Sequence, residues 1–92
     1  MNAMVCYVYI LRSEKTGSYY VGHAEDLEDR ITRHNSGRSK STRARKPWLL
    51  VYEEEHESRR SAMIREAEIK GWKSRVRVDR LIESDGSFEL RG

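Results

Sequence analysis

Residues 5–12 (VCYVYILR) are apolar or aromatic at nearly every position, with Val5, Tyr7, Tyr9 and Leu11 alternating with Cys6, Val8 and Ile10. Successive side chains of a strand point to opposite faces, so this run predicts a strand covered on both sides. Residues 13–18 (SEKTGS) read as a hairpin loop in which Gly17 is available for a positive φ, and residues 18–22 (SYYVG) return as an antiparallel second strand. Asp26 is a suitable N-cap for a helix with Glu28 and Asp29 in its first turn and a short Leu27/Ile31 stripe, ending near Asn35, Ser36 and Gly37. Residues 36–46 (SGRSKSTRARK) carry neither period and read as a loop. Beyond Pro47, residues 48–54 (WLLVYEE) predict a third strand. Ser58 can cap a second helix running to about Lys73, with apolar positions at Ala62, Met63, Ala67, Ile69 and Trp72 and with Ile64 to one side. A third helix over 75–83 uses Val76, Val78, Leu81 and Ile82. Residues 84–92, with an Asp85-Gly86 turn, are expected to fray.

The order β-β-α-β-α-α predicts an α+β domain, a small three-stranded sheet flanked by helices. A chain of 92 residues is read as one domain over 1–92, with its core at 5–83. The hairpin fixes the first two strands as neighbours, whereas the position of the third is not legible.

Composition narrows the class. Charged residues make up 36% of the chain and hydrophobic ones 37%, and the longest apolar runs (Val8 to Leu11 and Trp48 to Val51) are far too short to span a membrane. Cys6 is the only cysteine, so neither an internal disulfide nor a multi-thiolate zinc site is expected. With no signal-like opening, the default reading is a soluble, cytoplasmic protein.

The net charge of +3 conceals segregation. Seven basic residues lie between Arg30 and Lys46 with no acidic residue among them: Arg30, Arg33, Arg38, Lys40, Arg43, Arg45 and Lys46. Glu25, Asp26, Glu28 and Asp29 precede that stretch, and Glu53, Glu54, Glu55 and Glu57 follow it. A basic, hydroxyl-rich loop suits phosphate oxygens, so Arg33, Arg38, Lys40, Arg43, Arg45 and Lys46 are candidate nucleic-acid contacts; the plain alternative is a solvated loop.

Five residues are candidates for chemistry. Tyr9 and Tyr20 sit on strands that the hairpin sets side by side, and Gly22 opens the backbone nearby. Arg30 and His34 are four apart and share a helix face. Glu66 falls within the apolar arc of the second helix, where a carboxylate must be paired, protonated or bound to metal. Each has an ordinary alternative: strand formers with solvated hydroxyls, a polar helix face, and an ion pair from Glu66 to Lys70. His23, after Gly22, is equally ambiguous.

The ordered set YVYILRS, YYVGHAEDLEDRITRHNSG, RKPW, LVYEEE and REAEIKGWK resembles the GIY-YIG nuclease superfamily over residues 5–75, and within it the small stand-alone subfamily. The two naming tripeptides read Val8-Tyr9-Ile10 and Tyr20-Val21-Gly22. The resemblance implies metal-assisted hydrolysis of phosphodiester bonds in DNA, in repair or recombination, and leaves RNA open as a partner. Carried onto this chain, it makes Glu66 the single carboxylate for Mg²⁺ or Mn²⁺ and either Tyr20 or Tyr9 the acceptor of the attacking water's proton. Arg30 would stabilise phosphate charge, and His34 occupies the second helix position. Val8 departs from the naming glycine, and His23 stands where some repair-type relatives carry lysine. The closing asparagine of larger members has no clear match, and no appended domain is present, so a protein partner supplying specificity is expected. The alternative is a nucleic-acid-binding module with weak or no catalysis.

Overall fold

The computed structural model describes residues 5–88. Its strands are β1 (Cys6–Ser13), β2 (Tyr19–Ala24) and β3 (Trp48–His56), and its helices α1 (Leu27–Asn35), α2 (Arg59–Trp72) and α3 (Arg75–Phe88), in the expected β-β-α-β-α-α order. The sheet order is β2-β1-β3 and both pairings are antiparallel. The position the sequence left open is therefore the free side of β1. This explains why residues 6–11 of β1 are apolar on both faces: the strand is central, and Val8, Tyr9, Ile10 and Leu11 are fully buried. β3, at the edge, exposes Glu53 and Glu55, charges that discourage pairing with another strand.

Two cores lie back to back across the sheet. On one face Cys6, Val8, Ile10 and Tyr52 pack against Ala62 and Ile69 of α2 and Val78 of α3. On the other, Tyr9, Leu11, Ala24 and Trp48 pack with Tyr20, Leu50 and the Leu27/Ile31 stripe of α1. Asp26 caps α1 by accepting from the Asp29 N–H at 2.9 Å, and Ser58 caps α2 by accepting from the Ser61 N–H at 3.0 Å.

The structure departs from the sequence reading at five places. β2 runs two residues further than expected, to Ala24, which brings His23 into the strand; β3 likewise reaches His56. α2 meets the sheet through Ala62 and Ile69, seven residues and two turns apart. Met63, about 100° around the helix from Ala62, therefore points outward, as does Ala67. α3 continues to Phe88, so residues 84–88, expected as a turn and frayed tail, are helical. An Asp-Gly pair favours a turn, but within a helix the glycine costs only about 1 kcal/mol relative to alanine. The rest of the expected tail, 89–92, lies outside the described residues. Finally, the basic segment is not a simple solvated loop. It contains a 3₁₀ turn at Arg43–Arg45, Thr42 is fully buried, and the Trp48 Nε1–H donates to the Thr42 carbonyl at 3.0 Å.

Candidate active site at the β2 edge

β2 is an edge strand with a helix on each face, and its alternation distributes the candidate residues. Tyr20 and Gly22 face α1, while Val21 and His23 face α2 and Tyr19 meets Arg75 and Asp79 of α3. Tyr9 of β1 pairs in register with Gly22. A Cβ at position 22 would lie 2.6 Å from the Tyr9 hydroxyl and 2.8 Å from its Cζ, so only glycine lets the phenol lie across β2. The Tyr9 and Tyr20 ring centroids are 6.2 Å apart, and Tyr20 lies 4.8 Å from the ring of His34. Tyr20 keeps part of its surface in solvent, while Tyr9 has none. Burial, reinforced by neighbouring Tyr20, pushes the Tyr9 phenol up to about 12, against an opposing pull from Arg30.

The spacing of Arg30 and His34 does place both against the sheet. His34 is buried, with Nε2 at 3.1 Å from the Tyr9 hydroxyl and Nδ1 at 2.7 Å from Thr42 Oγ1. Desolvation, with the charges of Arg30 and Arg33, lowers its pKa. The folded state thus binds the His34 proton less readily than the unfolded chain does. The stability contributed by neutral His34 is complete above the unfolded value of about 6.5 and is lost as pH falls towards the lower folded value. Urea unfolding should accordingly show the gap between wild type and His34→Gln narrowing from pH 7.5 to pH 5.5. A gap that stays constant or widens on acidification contradicts this assignment.

Arg30 reaches around the β2 edge and donates from a terminal nitrogen to the His23 carbonyl at 3.3 Å. From the opposite face, Glu66 of α2 accepts from His23 Nδ1 at 2.5 Å and, through its other oxygen, from Lys70 Nζ at 2.5 Å. Burial pushes the Glu66 carboxyl up, but the bonds from His23 and Lys70 outweigh this and hold it below the usual carboxylate range. The expected Glu66–Lys70 pair is therefore present, and His23, which sequence reasoning left ambiguous, is the second partner. The signal for it was strand alternation: once β2 extends to Ala24, His23 falls on the face of Val21, towards α2. A cleft of about 230 Å³ opens beside His23 and Arg30, with Arg59 and Asp29 also on its walls.

A divalent ion, implied by the sequence resemblance, can be tested against this donor set. Among the described residues, no three His, Cys, Asp or Glu side chains converge as a ready ligand cluster. Mg²⁺ needs no such cluster, because it commonly takes one or two carboxylates and fills its remaining positions with water. Glu66 is ionised and only 17% exposed, while its partner Lys70 is 52% exposed on a flexible stem that can swing into solvent. The residues therefore fit a hard cation held through one carboxylate.

The candidate phosphate contacts divide in two. Arg33, Arg38, Lys40, Arg43 and Lys46 are exposed. Arg45 is partly buried, its guanidinium 5.0 Å from the Trp48 ring centroid and bonded to Ser18 Oγ at 3.2 Å. It ties the loop to the hairpin as well as carrying charge. Thr42 was missed altogether, since a buried threonine inside a basic loop leaves no periodic trace in the sequence.

Two tyrosines flanking a glycine-opened edge strand, an Arg/His helix on one face and a glutamate helix on the other define a recognisable class. Residues 5–79 match the family described as the GIY-YIG catalytic domain, and the chain belongs to that family. It is similar to the UPF0213 protein of Staphylococcus saprophyticus, 46% identical over 65 residues that cover 70% of this chain and 78% of that one. It is also similar to the UPF0213 protein of Staphylococcus haemolyticus, 44% identical over 78 residues that cover 84% of this chain and 93% of the other. Among solved structures, the solution NMR structure of a UPF0213 protein from Bacillus halodurans is 40% identical, with a TM-score of 0.56, covering 87% of this chain and 84% of that one. Among the described residues no helix is long and apolar enough to cross a membrane.

Proposed function

We propose that this protein is a metal-dependent endonuclease that hydrolyses phosphodiester bonds in DNA. The observation that carries this reading is the meeting of Tyr9, Tyr20, Arg30 and His34 with Glu66 around one strand edge, beside an open cleft. Glu66 would hold Mg²⁺ or Mn²⁺ through one oxygen, with Lys70 released to solvent. When bound, the ion polarises the scissile phosphate and eases departure of the leaving oxygen. Arg30 turns its guanidinium from the His23 carbonyl to the phosphate, where its charge counts most in the transition state. Tyr20, the phenol with surface in solvent, stands nearest the attacking water, and Tyr9 behind it leads to His34 as the proton's destination. Incubation with plasmid, single-stranded and branched DNA plus Mg²⁺ or Mn²⁺ tests the proposal. Wild type is expected to cleave at least one of these, and Arg30→Ala to cleave it at least ~10²-fold more slowly; equal rates would remove Arg30 from the site.

One observation favours the second reading, a binding module acting with a partner: both Glu66 oxygens are already engaged by protein side chains, His23 and Lys70. The two readings share the basic loop. Each exposed cation removed from it (Arg43→Ala, Lys40→Ala) should weaken DNA binding and reduce the slope of log K against log salt by about 1. Arg45→Ala should also destabilise the fold, because it releases the Trp48 stack and the Ser18 bond. Salt-independent binding would exclude the loop from both readings.

A further inference from the structure

Tyr9, His34 and Thr42 form a hydrogen-bonded chain whose three side chains are all buried. It begins at the β2 edge and ends inside the basic loop. A neutral imidazole is a donor at one nitrogen and an acceptor at the other, so the chain can run in only two directions. Counting its protons distinguishes them.

In the first direction the Tyr9 O–H donates to His34 Nε2 at 3.1 Å and His34 Nδ1–H donates to Thr42 Oγ1 at 2.7 Å. The Thr42 O–H then donates to the Ser39 carbonyl at 3.5 Å, a long bond but an available acceptor. Every proton is placed, and the lone pairs of the Tyr9 oxygen remain open towards Arg30, which can only donate. In the reverse direction the Thr42 O–H donates to Nδ1 and Nε2–H donates to the Tyr9 oxygen. The Tyr9 O–H is then a fully buried donor with no acceptor among its partners, because Arg30 can only donate and His34 would there present its own N–H. An orphaned buried donor costs about 1–3 kcal/mol, enough to decide the direction.

We propose that Thr42 is a positioning residue: its hydroxyl holds His34 as the Nδ1–H tautomer, so that the Nε2 lone pair faces Tyr9 and can take its proton. The consequence for catalysis rests on the nuclease reading above. As the Tyr9 phenol receives a proton from the water side, its own O–H proton passes to Nε2 and leaves an imidazolium whose Nδ1–H remains on Thr42. Two O–H bonds break, one on the water side and Tyr9's own, while one O–H bond forms on Tyr9 and one N–H bond on His34, and no further reactant is needed. Thr42 is itself fixed by the loop, since its carbonyl accepts from Trp48 Nε1 and its N–H donates to the Ser39 carbonyl at 3.2 Å. The same segment that offers cations to phosphate therefore also sets the orientation of the histidine.

Long-range ¹H–¹⁵N spectra of the ¹⁵N-histidine-labelled protein at pH 8 read the tautomer directly, with His34 assigned by the loss of its signals in His34→Gln. The expected wild-type pattern is a protonated Nδ1 and an unprotonated Nε2. Thr42→Val should shift His34 towards Nε2–H or a mixture, and Thr42→Ser should restore the wild-type pattern. In the cleavage assay, Thr42→Val should lower kcat about tenfold with KM little changed, again with rescue by Thr42→Ser. A wild-type His34 carrying its proton on Nε2 overturns the proposal without any variant, so failure of Thr42→Val to fold does not shield it. An unchanged tautomer in folded Thr42→Val overturns it as well. The expected tautomer pattern in a protein that cleaves no DNA supports the Thr42 assignment and sinks the nuclease reading instead.

Discussion

Glu66→Ala is expected to abolish DNA cleavage, by about 10³-fold or more, while leaving the protein folded and able to bind DNA. The magnitude follows from the role proposed for the carboxylate. A divalent ion at a scissile phosphate contributes several kcal/mol of transition-state stabilisation, and each 1.4 kcal/mol is a factor of ten in rate. Glu66 is the one carboxylate at the Tyr9–Tyr20–Arg30 edge proposed to hold that ion, so removing it removes the whole contribution. The fold should survive because the partners left behind are wet: the His23 side chain is 24% exposed and Lys70 more so. Both can recover hydration, and a pair of this exposure is worth little in stability, about 0–1 kcal/mol. Cleavage, thermal unfolding and DNA binding measured on one preparation distinguish the cases. Loss of cleavage with intact melting and binding is the expected result. Equal cleavage by wild type and Glu66→Ala would falsify the metal assignment and point to a contaminating nuclease. A binding-only protein would cleave in neither form and bind in both.

Much of this arrangement was legible along the chain, and the boundary of what was legible is physical. Element types followed from local causes: the doubly apolar run of β1, the Asp26 and Ser58 caps, and Gly17 in the hairpin, which adopts φ +79°. Helix N-caps and turn glycines act over a few residues, so a few residues suffice to read them. Where β3 pairs was not legible, because strand order is decided by which edge of β1 its apolar face can cover, a long-range choice. The outward turn of Met63 was missed for a related reason. Its apolar character was counted towards the core, whereas α2 uses a narrower stripe centred on Ala62 and Ile69.

The site divides in the same way. Tyr9, Tyr20, Arg30 and Glu66 were singled out by their places on a strand pair and two helix faces, and the roles proposed for them came from the family resemblance. His23 and Thr42 are partners joined to their targets across 43 and 8 positions of the chain respectively, and neither spacing has a period. His34 shows how the two sources of information combine. Sequence placed it beside Arg30 on α1; only the fold revealed that it is buried between a phenol and a hydroxyl. The sequence made it a candidate catalytic residue without a task, and the proposed proton path gives it one. The basic segment changed character too. Its charge count was correct, but Trp48 and Ser13 pin it: Trp48 Nε1–H donates to the Thr42 carbonyl at 3.0 Å, and Ser13 Oγ donates to the Arg45 carbonyl at 2.6 Å. A segment held in this way presents its cations to phosphate with less entropy left to lose on binding than a free loop would have.

Gly22→Ala should be the most damaging single-methyl substitution in the site, although glycine is not needed there for its backbone freedom. Gly22 is absent from the positive-φ positions; the constraint is the Tyr9 phenol crossing over it. The added Cβ would stand 2.6 Å from the Tyr9 hydroxyl, 2.8 Å from Cζ and 3.1 Å from Tyr20 Cε2. None of these atoms belongs to a freely swinging chain end. Tyr9 is packed with Leu11, Ala24 and Trp48 and tethered to His34, so it can yield only by repacking that core or breaking the tether. Overpacking of this kind costs typically 1–3 kcal/mol, and for a domain of this size each kcal/mol lowers Tm by roughly 4–8 °C. A 0.5–1 Å displacement of Tyr9 also carries its hydroxyl out of line with Nε2, and misplacement on that scale can reduce a reaction rate about 10²-fold. Tyr9→Phe removes the atom in closest contact. The double variant Gly22→Ala/Tyr9→Phe should therefore recover part of the lost stability, a favourable coupling of about 0.5–3 kcal/mol between two residues paired across β1 and β2. It should recover none of the cleavage, because the proton path now lacks its phenol. Wild-type melting and cleavage in Gly22→Ala, or strictly additive single and double variants, would show that Tyr9 does not occupy the space above Gly22.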